Sequence, residues 1–132
     1  MKNVLTLSTA LLFAFTTSTF AADLSGVYDC KGHAPSEKEY TDGVLTVSKS
    51  GKLYDFSWQF AKENSHTKGK GVFNEEDDNT VAVLFTIEKP TPKETGVIIY
   101  KTTDDGIKGT AIIDGKTTLG GEICTKRKVS IR

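Results

Sequence analysis

The sequence predicts an all-β protein: an eight-stranded antiparallel up-and-down barrel closed by a disulfide. Three observations carry that prediction. Turn-forming clusters recur at short intervals through residues 23–132. The segments between them are short, rich in Val, Ile, Thr, Tyr and Phe, and none sustains a helical apolar period. The two cysteines, Cys30 and Cys124, fall near opposite ends of that region, where a closed ring of strands brings first and last together.

Residues 1–22 are set apart from the fold. Lys2 supplies a positive start, Val4 to Phe15 an apolar core, and Thr19-Phe20-Ala21 small residues at the −3 and −1 positions of a signal-peptidase site. Cleavage is expected after Ala21 or Ala22. The core is too short for a membrane span, so the chain reads as an exported protein, periplasmic or secreted, with one domain over 23–132. The full chain carries 17 basic and 17 acidic residues, and removing Lys2 leaves one net negative charge. That balance excludes nucleic-acid binding driven by global charge. About 110 mature residues leave no room for two sizeable domains.

The strands follow in order. The first, 24–32, ends at the turn His33-Ala34-Pro35-Ser36. The second, 40–49, ends at Lys49-Ser50-Gly51. The third, 52–61, alternates most clearly: Tyr54, Phe56, Trp58 and Phe60 share one face, and Asp55, Ser57 and Gln59 the other. Glu63-Asn64-Ser65 precedes the fourth, 66–74, and the acidic Glu76-Asp77-Asp78-Asn79 precedes the fifth, 80–88. Pro90-Thr91-Pro92 leads to the sixth, 95–103. The stretches Val81–Ile87 and Val97–Tyr100 are apolar on both faces, as in central strands or in strands whose outer side meets a partner. Asp104-Asp105-Gly106 opens the seventh, 106–113, where Ile107, Gly109, Ala111 and Ile113 alternate and Ile112 breaks the pattern. Asp114-Gly115 signals a two-residue hairpin into the eighth, 116–127. Glycines 69, 71, 109, 120 and 121 suit tight curvature within strands.

An oxidising compartment favours pairing of Cys30 with Cys124. The bridge closes a loop of about 95 residues, a constraint of roughly 4–5 kcal/mol in the chain-entropy description. If the barrel closes, these cysteines are neighbours and the bridge staples its seam.

The opening Leu24-Ser25-Gly26-Val27-Tyr28 resembles the first strand of lipocalin- and avidin-like barrels, which carry Gly-x-Trp where Tyr28 stands. Gly26-Val27-Tyr28-Asp29-Cys30-Lys31-Gly32-His33, Pro35-Ser36-Glu37 and Gly121-Glu122-Ile123-Cys124 are similar to a family of small secreted proteins of Gram-negative bacteria. No activity attaches to that family, so the likeness implies fold and export alone. Tyr28-Asp29-Cys30 also resembles the Tyr-x-Cys of periplasmic inhibitors of c-type lysozyme. Their later Ser-Gly-x-x-Tyr has a counterpart at Thr95-Gly96 and Tyr100 with one residue too many between. That likeness implies an enzyme inhibitor.

Of the candidate site residues, the aromatic face is the most informative. An eight-stranded barrel is just wide enough to be filled by side chains or to hold one small molecule. Tyr54, Phe56, Trp58 and Phe60 therefore either pack the core or line a ligand cup, with Trp58 as the anchor. His33 and His66 read as loop histidines, not metal ligands. Glu75-Glu76-Asp77-Asp78 lacks calcium-loop spacing. Ser65-His66-Thr67-Lys68 has none of the companion motifs of penicillin-recognising enzymes. The basic Lys126-Arg127-Lys128, with Arg132, reads as a solvated strand end. No catalytic constellation, cofactor motif or metal motif emerges. The expectation is a non-catalytic binding protein for a small apolar ligand, with a protein–protein module such as an enzyme inhibitor as the alternative.

Overall fold

In a computed structural model of the chain, residues 23–35, 38–62, 65–89 and 91–129 are described. The leader and its cleavage site, Ser36, Glu37, Glu63, Asn64, Pro90 and Arg132 lie outside the described residues. The strands are β1 (Gly26–His33), β2 (Glu39–Ser50), β3 (Leu53–Phe60), β4 (Ser65–Phe73), β5 (Thr80–Lys89), β6 (Glu94–Thr102), β7 (Gly106–Ile113) and β8 (Gly120–Lys126). Each pairs antiparallel with the next, and β1 pairs with β8, so the sheet closes into a barrel. Closure leaves no unpaired edge.

The seam forms where the cysteines predict it. Cys30 sits directly opposite Cys124 in the β1–β8 ladder, and their sulfurs are bonded. Outside the barrel, Arg127 forms a bidentate ion pair with Asp29 across the same seam, at 2.7 Å for the closest contact. The Arg127 amide donates to the Val27 carbonyl. Arg127 thus belongs to the seam and is not simply a solvated end.

Alternation does the rest of the folding work. Along β3, Tyr54, Phe56 and Trp58 are buried, with polar residues between them facing out. The rings fit because glycines lie opposite them. Tyr54 faces Gly71, Phe56 faces Gly69, Phe60 faces Gly43, Phe85 faces Gly96 and Tyr100 faces Gly109. A Cβ on Gly71 would lie 2.7 Å from the Phe56 ring, and one on Gly109 would lie 2.6 Å from the Tyr100 ring. Glycines 71 and 109 therefore make room for rings, whereas a Cβ on Gly69 would lie 2.8 Å from the Leu84 carbonyl oxygen.

Two expectations about detail change. Residues 116–119 are not strand: β8 begins at Gly120, paired with Ala111. Lys116 closes a turn onto Ile113, and the Asp114 amide goes to Thr95 on β6. The chain end is thereby drawn toward β6, and the ladder resumes two residues out of the tight-hairpin register. That slip is even, so Glu122 and Cys124 keep their inward face. The two-residue hairpin occurs instead between β2 and β3, where Ser50 pairs with Leu53 and Gly51 adopts φ 65°. The second face of the doubly apolar strands is open: Leu84, Ile99 and Ile112 are 63%, 50% and 55% exposed on the outer wall.

Because the disulfide constrains the unfolded chain over a separation of 94 residues, reduction, or Cys30→Ala, is expected to lower unfolding free energy by about 4–5 kcal/mol. His33→Ala, on an exposed strand end, should stay within about 0.5 kcal/mol of the parent. Urea denaturation of oxidised and reduced protein measures both, and equal effects would remove the structural role of the bridge.

Candidate functional site: a half-filled barrel

The barrel has two unlike ends. At the end where the chain enters, it is packed solid. Leu24 and Tyr28 cover it, and the Tyr28 hydroxyl donates to the Leu24 carbonyl at 2.7 Å. Beneath them Phe56 stacks on Tyr100 with centroids 6.0 Å apart, and Tyr54 meets Phe73 edge-on at 5.8 Å. Val81, Val83 and Ile107 are almost fully buried among these rings.

The other end is hollow. A cavity of about 280 Å³ opens among the ends of β1, β5, β6 and β7, with His33, Pro35, Lys38, Glu94 and Lys116 at its mouth. Its walls are Phe60, Phe85, Ile87, Ile98, Ala111 and Ile113, and Trp58, Tyr40 and Glu122 stand at its base. Small side chains create the space: Ser65, Thr67, Ala111 and Gly121 line the positions that large rings fill at the closed end. The predicted aromatic face divides accordingly. Trp58 and Phe60 line the cavity, whereas Tyr54 and Phe56 belong to the packed end. The strand rises about 3.3 Å per residue, so residues six apart on one face reach opposite ends of a small barrel. Alternation assigns a face and not a depth.

Glu122 is the feature that the sequence reading passed over. It is 7% exposed. Its Oε1 accepts hydrogen bonds from the Tyr100 hydroxyl at 2.6 Å and the Trp58 indole N–H at 3.1 Å. Its Oε2 accepts a short hydrogen bond from the Tyr40 hydroxyl. Cys124 Sγ lies 2.9 Å from Oε1; a bonded disulfide sulfur has no hydrogen to donate, so this is a packing contact. All three donors are neutral, and both carboxyl oxygens accept from them. A usable signal was present. Glu122 stands two residues from Cys124, so a cysteine that faces inward at the seam carries Glu122 inward with it.

The charge marks its neighbours. Burial, and then the Glu122 charge, push the Tyr40 and Tyr100 hydroxyls far above the usual phenol range. Tyr28, on the sealed end, is raised to about 12, first by burial and then by Asp23.

The other candidates are accounted for differently. Among the described residues, the one group of His, Cys, Asp and Glu close enough to hold a metal is Cys30, Glu122 and Cys124. Its two sulfurs are joined to each other. His33 stands at the cavity mouth, and His66 lies on β4. Asp77 accepts from the Asn79 amide and the Thr80 hydroxyl, so it organises its own turn.

Removing one donor from a buried carboxylate leaves it under-satisfied, so Tyr100→Phe is expected to destabilise the fold by about 1.5–3 kcal/mol, read by urea denaturation. The tyrosines also set an alkaline limit. Their folded pKa values lie above the unfolded value of 10.0, so between the two the unfolded chain has lost protons that the fold retains. This stabilisation is complete below pH 10 and declines as pH rises through and beyond it. The melting temperature should therefore fall above pH 10, with the 295 nm phenolate absorbance of Tyr40 and Tyr100 appearing only as the barrel opens.

No protein-family model, curated protein or solved structure matches the chain, so the reading of this site rests on its own geometry.

Proposed function

We propose that the protein is an exported, non-catalytic binding protein that holds one small, largely apolar molecule in the open half of its barrel. One observation carries this reading: the core is packed solid at one end and left hollow, with apolar walls, at the other. A barrel that needed only stability would gain by filling that volume, since an unfilled apolar cavity forfeits packing energy. At about 280 Å³ the space corresponds to roughly nine waters of liquid volume, which suits a small ligand. Apolar walls with a few fixed polar groups at one end are the usual composition of such sites. The bridged cysteines and the leader-like first 22 residues support a periplasmic or secreted setting.

Trp58 is the single tryptophan of the chain, so its emission reports directly on the cup. Titration with short fatty alcohols and monocyclic aromatic compounds is expected to shift that emission saturably. Ala111→Phe, which fills the cavity from β7, should abolish the shift while leaving the far-ultraviolet circular dichroism unchanged. Silence towards every one of these compounds would end the cup proposal.

A further inference from the structure

We infer that the cup selects a ligand with an ammonium head and a short apolar body, the head directed at Glu122. This rests on the cup being a binding site, and adds the charge and orientation of what enters it.

Among the described residues, no cation is hydrogen-bonded to the carboxylate at the base of the cavity. Glu122 is held by two phenol hydroxyls and an indole N–H, with no cationic side chain among these donors. An ionised carboxylate offers about four lone-pair positions. Oε1 uses two, for Tyr100 and Trp58, whereas Oε2 receives Tyr40 alone among the described residues. One acceptor position is therefore left on the oxygen held by the half-buried Tyr40. The three hydrogen bonds replace much of the hydration lost on burial, and a positive charge beside the carboxylate would stabilise it further. A ligand ammonium supplies that countercharge together with one more donor.

The surrounding rings favour the same head group. Tyr40 and Phe60 meet edge-to-face at 4.8 Å, and Trp58 and Phe85 at 6.1 Å. Aromatic faces attract cations through their quadrupoles, more strongly where water is excluded. The reversed ligand, a carboxylic acid with its head at the mouth, finds less there. Lys116 already faces Glu94 at 3.7 Å, and exposed charges at a rim are screened.

The test uses one chain length with three heads. Oxidised wild-type protein at pH 7 is titrated with n-hexylammonium, 1-hexanol and hexanoate, and Trp58 emission is followed. Hexylammonium is expected to bind at least about tenfold more tightly than hexanol, with hexanoate weakest, as a charge-assisted contact in a dry site requires. In Glu122→Gln, checked for fold by circular dichroism, the amine should fall to the level of the alcohol. Equal binding of amine and alcohol, tighter binding of hexanoate, or selection that survives Glu122→Gln would each overturn the inference while leaving the cup in place. Silence from all three overturns it too, and the cup reading falls with it only when the aromatic probes are also silent. If Glu122→Gln does not fold, the wild-type series decides alone.

Discussion

The structure turns on a single buried carboxylate. Glu122 reaches from β8 into the barrel and is gripped by Tyr40 of β2, Trp58 of β3 and Tyr100 of β6. Removing a carboxylate from water costs several kcal/mol unless strong hydrogen bonds replace the lost hydration. Three donors do so here, and charge-assisted bonds of this kind are roughly twice as strong as neutral ones. The group ties four strands together across the lumen. It also fixes register, since a one-residue slip of β8 would turn Glu122 out to solvent and Ile123 in. The packed half of the barrel lies on one side of it and the hollow half on the other.

The two halves differ through side-chain volume placed at particular depths. In the closed half, rings meet glycine: Phe56 over Gly71 and Tyr100 over Gly109. Each ring takes the space that a glycine on the adjacent strand leaves, so density is high. Toward the mouth, Phe60 and Phe85 also face glycines, but the positions around them are Ser65, Thr67, Ala111 and Gly121. These residues fill neither their own space nor that of a neighbour. The cavity is what remains, and its walls are rigid because each belongs to a strand paired on both sides.

Much of this architecture was legible from residues alone. Alternation over Tyr54–Phe60 marks a strand with one buried side. The spacing of Pro, Gly, Asn and Asp clusters marks the connections, and cysteines at positions 30 and 124 mark a closing seam. Local chemistry governs each of these, so local pattern reveals them. Depth along the barrel axis is a different quantity. It depends on strand tilt and on register between distant segments, and no period in one strand encodes it. Alternation therefore places Trp58 and Phe56 on one face alike, although one borders the cavity and the other belongs to the packed end. Asp114-Gly115 misled for a similar reason. The dipeptide does form a turn, but the Asp114 amide is taken by Thr95 from a neighbouring strand, and tertiary pairing sets where β8 resumes. Glu122 is marked only by its two-residue spacing from Cys124, a signal easily lost in a chain where acidic residues are common.

The location of the seam gives these observations their functional weight. Glu122 lies on the last strand, two residues from Cys124, which is joined to Cys30 on the first. The donors that hold it come from strands two, three and six. No contiguous part of the chain contains this site, and it exists only when the ring is closed. Opening the β1–β8 ladder would part Glu122 from Tyr40 and Trp58, on the far side of that seam, even if β6, β7 and β8 stay paired and keep Tyr100 near it. The covalent bridge beside Glu122, and the Arg127–Asp29 pair outside it, reinforce the junction that joins the strand of Glu122 to the first strand. The proposed site therefore depends on the same closure that holds the barrel together.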